Sequence, residues 1–196
     1  PSEYMLESMI DRDLLQPLNH ELLPNIQHMD ERFMDQEFDP GNQYSIPYFW
    51  GTVGILYNTD LVDEKIDSWD VLWDEKYKNE IIMLDSSRDS IGISLTRLGY
   101  SSNSKDDRQL EEAKLALSDQ FPLVYAYLVD ETKDIMVNGD AKLAVVYSGS
   151  AVEARDENDA LEYAIPKEGS NLWFDSMVIP KNAKNKENAE KFINFI

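Results

Sequence analysis

The sequence predicts an α/β fold, a sheet with helices on its faces, and three observations carry that reading. Short apolar runs such as IIMLD (81–85) and KLAVVY (142–147) have the length and β-branched content of strands. Stretches with helical spacing separate these runs, over 86–100, 107–118 and near 130–137. The alternation then continues almost to the last residue, which is the pattern of helices packed on a sheet rather than of a bundle or a sandwich.

In chain order, Ser2 reads as the N-cap of a first helix, with apolar Met5, Met9 and Leu14 following, and a polar loop with two prolines leads to FDPGNQ (38–43). YSIPYFWGTVGILYNTDLV (44–62) is aromatic and β-branched. Gly51 and Gly54 interrupt it, so two strand pieces meeting at Trp50 and Gly51 are expected, suited to a chain passing from one structural unit to another. SWDVLWDEKYKNE (68–80) reads as a short helix with Val71, Leu72 and Trp73 on its apolar side. The strand IIMLD, the helices, the strand KLAVVY, a helix after SGSA (148–151) and the strand LEYAIP (161–166) follow. PKEGSN (166–171) turns the chain into a strand, NLWFDSMVIP (171–180). A final amphipathic helix carries Ala189, Phe192 and Ile193 at helical spacing.

Composition limits the function classes. With 18 basic and 38 acidic residues the net charge is -20, which disfavours nucleic acid and anionic membrane surfaces and favours cationic partners. No run of 18 apolar residues is present, so this segment is not expected to insert in a membrane. The absence of cysteine excludes disulfides, thiolate metal sites and thiol catalysis. No phosphate-binding loop, nucleophile elbow, zinc-protease motif or dinucleotide fingerprint occurs, and His20 and His28 sit in a polar loop as surface residues. Neither a catalytic group, nor a metal site, nor a cofactor is predicted.

Candidate binding residues gather at strand ends. Trp173 and Asp175 lie two apart in a strand and share a face, while Phe174 points the other way. Asp85, Ser86 and Asp89 cluster where a strand opens into a helix. Ser86 and Asp89 have the spacing of a capping box, and the same carboxylates stand at the carboxyl end of a strand, where open α/β sheets take their ligands. Tyr147 ends another strand before Ser148-Gly149-Ser150, whose backbone N–H groups are the kind that hold an anion. Aromatic faces with carboxylates make a cage for an organic cation, the rings contacting methylene and ammonium groups and the acids accepting N–H donors.

The ordered series PSEY (1–4), FDPGNQYSIPYFWG, SWDVLW, IIMLD with SSRDS, LTRLGYS (95–101), YSGSA and WFDSMVIPKNAKN (173–185) resembles the spermidine/putrescine-binding proteins, substrate-binding subunits of polyamine ABC transporters. The resemblance runs along nearly the whole chain. It implies a two-lobed, type II periplasmic-binding-protein fold with crossing strands, an acidic and aromatic ligand cleft, hinge closure, docking on a membrane permease and no catalysis. It also implies an extracytoplasmic location, with a lipid anchor in the full-length protein. By position, Ser2 and Tyr4 become part of the first lobe's wall, Asp175 the principal acid for an ammonium group, and Trp173 a wall for the methylenes. Tyr147 stands where relatives can carry tryptophan. In the acidic segment relatives place two acids three residues apart, whereas here the first is Ser86 and the second the shorter Asp89, with Asp85 next door.

The resemblance further implies one complete lobe and one in part: 1–51 as a partial first lobe, 52–174 as the second α/β lobe and 175–196 as the return to the first. Three alternatives stand beside the polyamine receptor: a same-fold receptor for another cation or for an anion, a paired-carboxylate sugar hydrolase, and a dimerising scaffold fragment.

Overall fold

The computed structural model describes residues 1–196, and the chain forms two compact units, one of residues 1–50 with 173–196 and one of residues 51–172. The chain passes from one unit to the other twice, each time inside or at the start of a strand.

The unit of residues 51–172 is built on a mixed sheet. β1 (Ser45–Asn58) enters it as one unbroken strand, where the glycines led us to expect two pieces. Neither Gly51 nor Gly54 has a positive φ, so neither turns the chain. Gly54 is instead a close-approach position. A Cβ built there would lie 2.4 Å from the Tyr163 ring and 2.6 Å from the Ala164 carbonyl. Burial there pushes the Tyr163 phenol up, and its hydrogen bond with the Thr52 hydroxyl at 3.0 Å offsets part of that rise. Gly54→Ala must separate two paired strands and is expected to lower unfolding stability by about 1–3 kcal/mol, read as a shift in the urea midpoint at constant slope.

Two short 3-10 turns, Trp69–Trp73 and Glu75–Tyr77, take the place of the expected helix after Ser68. The reason is local: Ser68 caps the first through the Asp70 amide and Asp74 caps the second through the Lys76 amide, so each turn restarts before a helix can propagate. Then follow β2 (Ile81–Leu84), α2 (Ser87–Arg97), α3 (Asp107–Gln120), β3 (Val124–Leu128), α4 (Thr132–Asn138), β4 (Leu143–Tyr147), α5 (Ser148–Glu157) and β5 (Leu161–Ala164). Gly139, at φ 76°, closes α4 in the left-handed conformation.

The sheet order is β3-β2-β4-β1-β5. β2 runs parallel to both β3 and β4, and β1 runs antiparallel to β4 and β5. Parallel strands must be joined by crossovers, here α2 with α3 and then α4, which cover the sheet. β2 is buried at every position and β4 at all but its last, which is why both read as continuous apolar runs. Leu56, Ile82, Met136, Ala144 and Leu161 belong to one core on this sheet.

The unit of residues 1–50 and 173–196 holds α1 (Glu3–Asp11), a run of 3-10 turns, most of β6 (Leu172–Val178) and α6 (Lys186–Phe195). β6 pairs with β1. Its core joins Leu23, Ile46, Ile179 and Ile193, residues from opposite ends of the sequence. Before β1, the buried Asp39 carboxylate organises the turn. It accepts the amides of Gln43, Tyr44 and Ser45, at 3.1, 3.1 and 2.8 Å, and the Ser45 hydroxyl at 2.7 Å. No helix of the chain is long and apolar enough to cross a membrane.

Candidate functional site

Two groups of candidate residues emerge, one inside each unit. In the sheet unit, β2 and β4 are adjacent and parallel, so their carboxyl ends lie side by side. β2 delivers the chain to Ser86 and the first turn of α2, and β4 ends at Tyr147. This topology brings residues 58 apart in sequence into contact: the Tyr147 hydroxyl donates to Asp89 Oδ2 at 3.1 Å.

Ser86 does cap α2, its hydroxyl accepting the Asp89 amide at 3.3 Å. The Asp89 carboxylate does not return the bond as a capping box would. It turns to Tyr147 and, through Oδ1, to the Asn171 side-chain amide at 3.0 Å. Asp89 is only 7% exposed, yet it sits in the first turn of α2, where the helix dipole favours a negative charge. Its charge is thus supported by two neutral donors and a helix end. Asp85 is exposed at the end of β2 and bonded there through its backbone amide to the Leu128 carbonyl; no hydrogen bond joins it to Asp89.

Asn171 is the residue that sequence reasoning missed. Its backbone carbonyl accepts the Val53 amide at 3.2 Å, and the neighbouring Ser170 hydroxyl donates to the Val53 carbonyl, which fixes this stretch against β1. The available signal was its position two residues before Trp173 in a segment of strand period. Ser148, at the start of α5, accepts the Thr52 amide at 3.2 Å.

In the other unit, Ser2 stands at the N-cap of α1 but does not cap it with its side chain. Its hydroxyl donates to Asp175 Oδ1 at 2.7 Å, and the two residues form an isolated antiparallel bridge. The Pro1 carbonyl accepts the Ser176 amide at 2.9 Å and Glu3 accepts the Phe174 amide at 3.2 Å, so the first three residues lie along β6. Phe174 is buried against Phe33, ring centroids 5.8 Å apart, which anchors β6 and leaves Trp173 and Asp175 on its opposite face. Both are half-buried. Tyr4, on α1, is 45% exposed.

Each group therefore offers a carboxylate held by neutral hydroxyl or amide donors beside an aromatic ring. Such an arrangement accepts N–H donors and carries negative charge, and it suits an organic ammonium group.

The family model described as bacterial extracellular solute-binding protein matches residues 1–196. The chain is 39% identical over 197 residues to the spermidine/putrescine-binding periplasmic protein of Salmonella typhimurium, covering 100% of this chain and 57% of that protein. Among solved structures it is similar to the spermidine/putrescine ABC transporter substrate-binding protein PotD of Streptococcus pneumoniae, with a TM-score of 0.88, 48% identity and coverage of 100% of this chain and 60% of that one. It is also similar to the Tp0655 (TpPotD) lipoprotein of Treponema pallidum, with a TM-score of 0.94, 27% identity and coverage of 100% and 63%. The chain spans less than two thirds of the length of each of these relatives.

Proposed function

Because the chain belongs to the bacterial extracellular solute-binding protein family, we propose that it captures a polyamine of the spermidine/putrescine class outside the cytoplasm and hands it to the membrane permease of an ABC transporter. The observation that carries this reading is chemical: Asp89 and Asp175 are each held by neutral donors, with Tyr147 and Trp173 close at hand in sequence and fold. A primary ammonium has three N–H donors and a positive charge, and the methylenes behind it are apolar, so acid and ring together match both parts of the ligand. The role is binding without catalysis, and the full-length protein is held at the membrane by a lipid anchor.

Titration calorimetry with putrescine, spermidine and thiamine, at low and then higher salt, tests the proposal. Saturable one-to-one heat with a polyamine, moderately weakened by salt and absent for thiamine, is expected. Heat for thiamine with none for either polyamine would move the protein to another cation, and no heat for any of the three would overturn the reading.

A further inference from the structure

The Asp89 carboxylate is oriented by two donors, the Asn171 amide on Oδ1 and the Tyr147 hydroxyl on Oδ2. A carboxylate has about four acceptor positions, so each oxygen keeps one for a ligand. Both donors are registered on one residue of β1. Tyr147 is the β4 partner of Val53, and on the other edge of β1 the Val53 amide donates to the Asn171 carbonyl at 3.2 Å. Tyr147 is held by its own strand, whereas Asn171 precedes the start of β6 at Leu172 and depends on the stretch that carries it.

That stretch, 166–171, is tied down inside the unit of residues 51–172. β5 pairs with β1 from Ile55 to Asn58; continued by two residues, the same register would set Pro166 opposite Val53, and proline has no N–H to give. The chain turns there instead. Gly169, at φ 101°, donates its amide to the Pro166 carbonyl at 3.0 Å, and its own carbonyl accepts the Trp69 indole N–H at 2.8 Å. The chain then returns to β1, where the carbonyl of fully buried Val53 accepts the Ser170 hydroxyl. The serine side chain thus supplies the donor that Pro166 lacks.

We propose that Ser170 is a positioning residue for the polyamine site: by bonding the Val53 carbonyl it seats Asn171, whose amide holds Asp89 ready for an ammonium group. The inference rests on the polyamine reading above and deepens it. Ser170 bonds β1 rather than the acid, so it acts through Asn171. An acid already held in one orientation loses less freedom when the amine binds, and that difference appears in affinity.

Titration calorimetry of the full chain with putrescine is the test. Ser170→Ala is expected to weaken binding about 3- to 10-fold, the effect of having to order one more side chain on binding. Asn171→Ala should lose at least as much, and adding Ser170→Ala to it should cost less than about twofold more, because the amide through which the hydroxyl acts is already gone. A merely structural contribution of Ser170 would give the same loss in both backgrounds, and that result would overturn the inference. Unchanged or tighter binding in either single variant would also overturn it and leave the polyamine reading standing; Asn171→Ala supplies this outcome if Ser170→Ala does not fold. No putrescine binding by the unsubstituted protein would overturn both.

Discussion

Asp175→Ala is expected to weaken polyamine binding by about 30- to 140-fold, since a charge-assisted hydrogen bond contributes on the order of 2–3 kcal/mol and each 1.4 kcal/mol is a factor of ten. Asp175 is half-buried on β6, so its interaction with an amine is less screened than at a free surface. One of its oxygens is already fixed by the Ser2 hydroxyl at 2.7 Å, which holds the carboxylate in one orientation before ligand arrives. Asp175→Asn separates charge from shape. The amide oxygen can keep the Ser2 bond, so a similar loss in this variant assigns the effect to charge. Calorimetric affinities for putrescine within threefold of the unsubstituted protein in both variants would remove Asp175 from the site.

The second large effect is on stability. Asp39→Ala is expected to cost about 3 kcal/mol or more, because the buried carboxylate is the acceptor for three consecutive amides and a hydroxyl, and each buried donor left without a partner costs about 1–3 kcal/mol. The turn it organises contains Gly41 at φ 72°, which glycine adopts freely, and Asn42 at φ 50°, a left-handed conformation uncommon for a residue with a side chain. Asp39→Asn should cost less than alanine, since one acceptor oxygen remains. Urea denaturation followed by tryptophan fluorescence measures both, and a loss below about 1 kcal/mol for alanine would show that water replaces the carboxylate there.

Much of the fold was legible because its strands are buried in a simple way. β2 and β4 have both faces covered, so IIML and LAVVY stand out as unbroken apolar runs. β3, VYAYL, passed unnoticed: it is the edge strand, half-covered at most positions, and Tyr125 is 57% exposed. The residues 68–77 looked helical by spacing, yet capping serine and aspartate side chains broke them into 3-10 turns. Among the candidate residues, Asp175, Asp89 and Tyr147 stood out by type and by their places in or near strand ends, whereas Ser2 entered only through the family resemblance. The contact of Asn171 with Asp89, across 82 positions of sequence, arises from strand order and from the anchoring of Ser170 and Asn171 on Val53, which no local periodicity encodes.

The unit that contains α1 and α6 is assembled from two stretches separated by the whole of residues 51–172. At a synthesis rate of about 5–20 residues per second, that interval lasts roughly 6–24 s. Leu23 and Ile46 are made before it, and their core partners Ile179 and Ile193 after it. The intervening stretch has every strand and helix of its own sheet in hand by the time residue 172 is added, so it can fold while the first stretch still waits. During that wait Leu23 and Ile46 lack the core partners they have in the folded unit, so this core cannot close until Ile193 has been made.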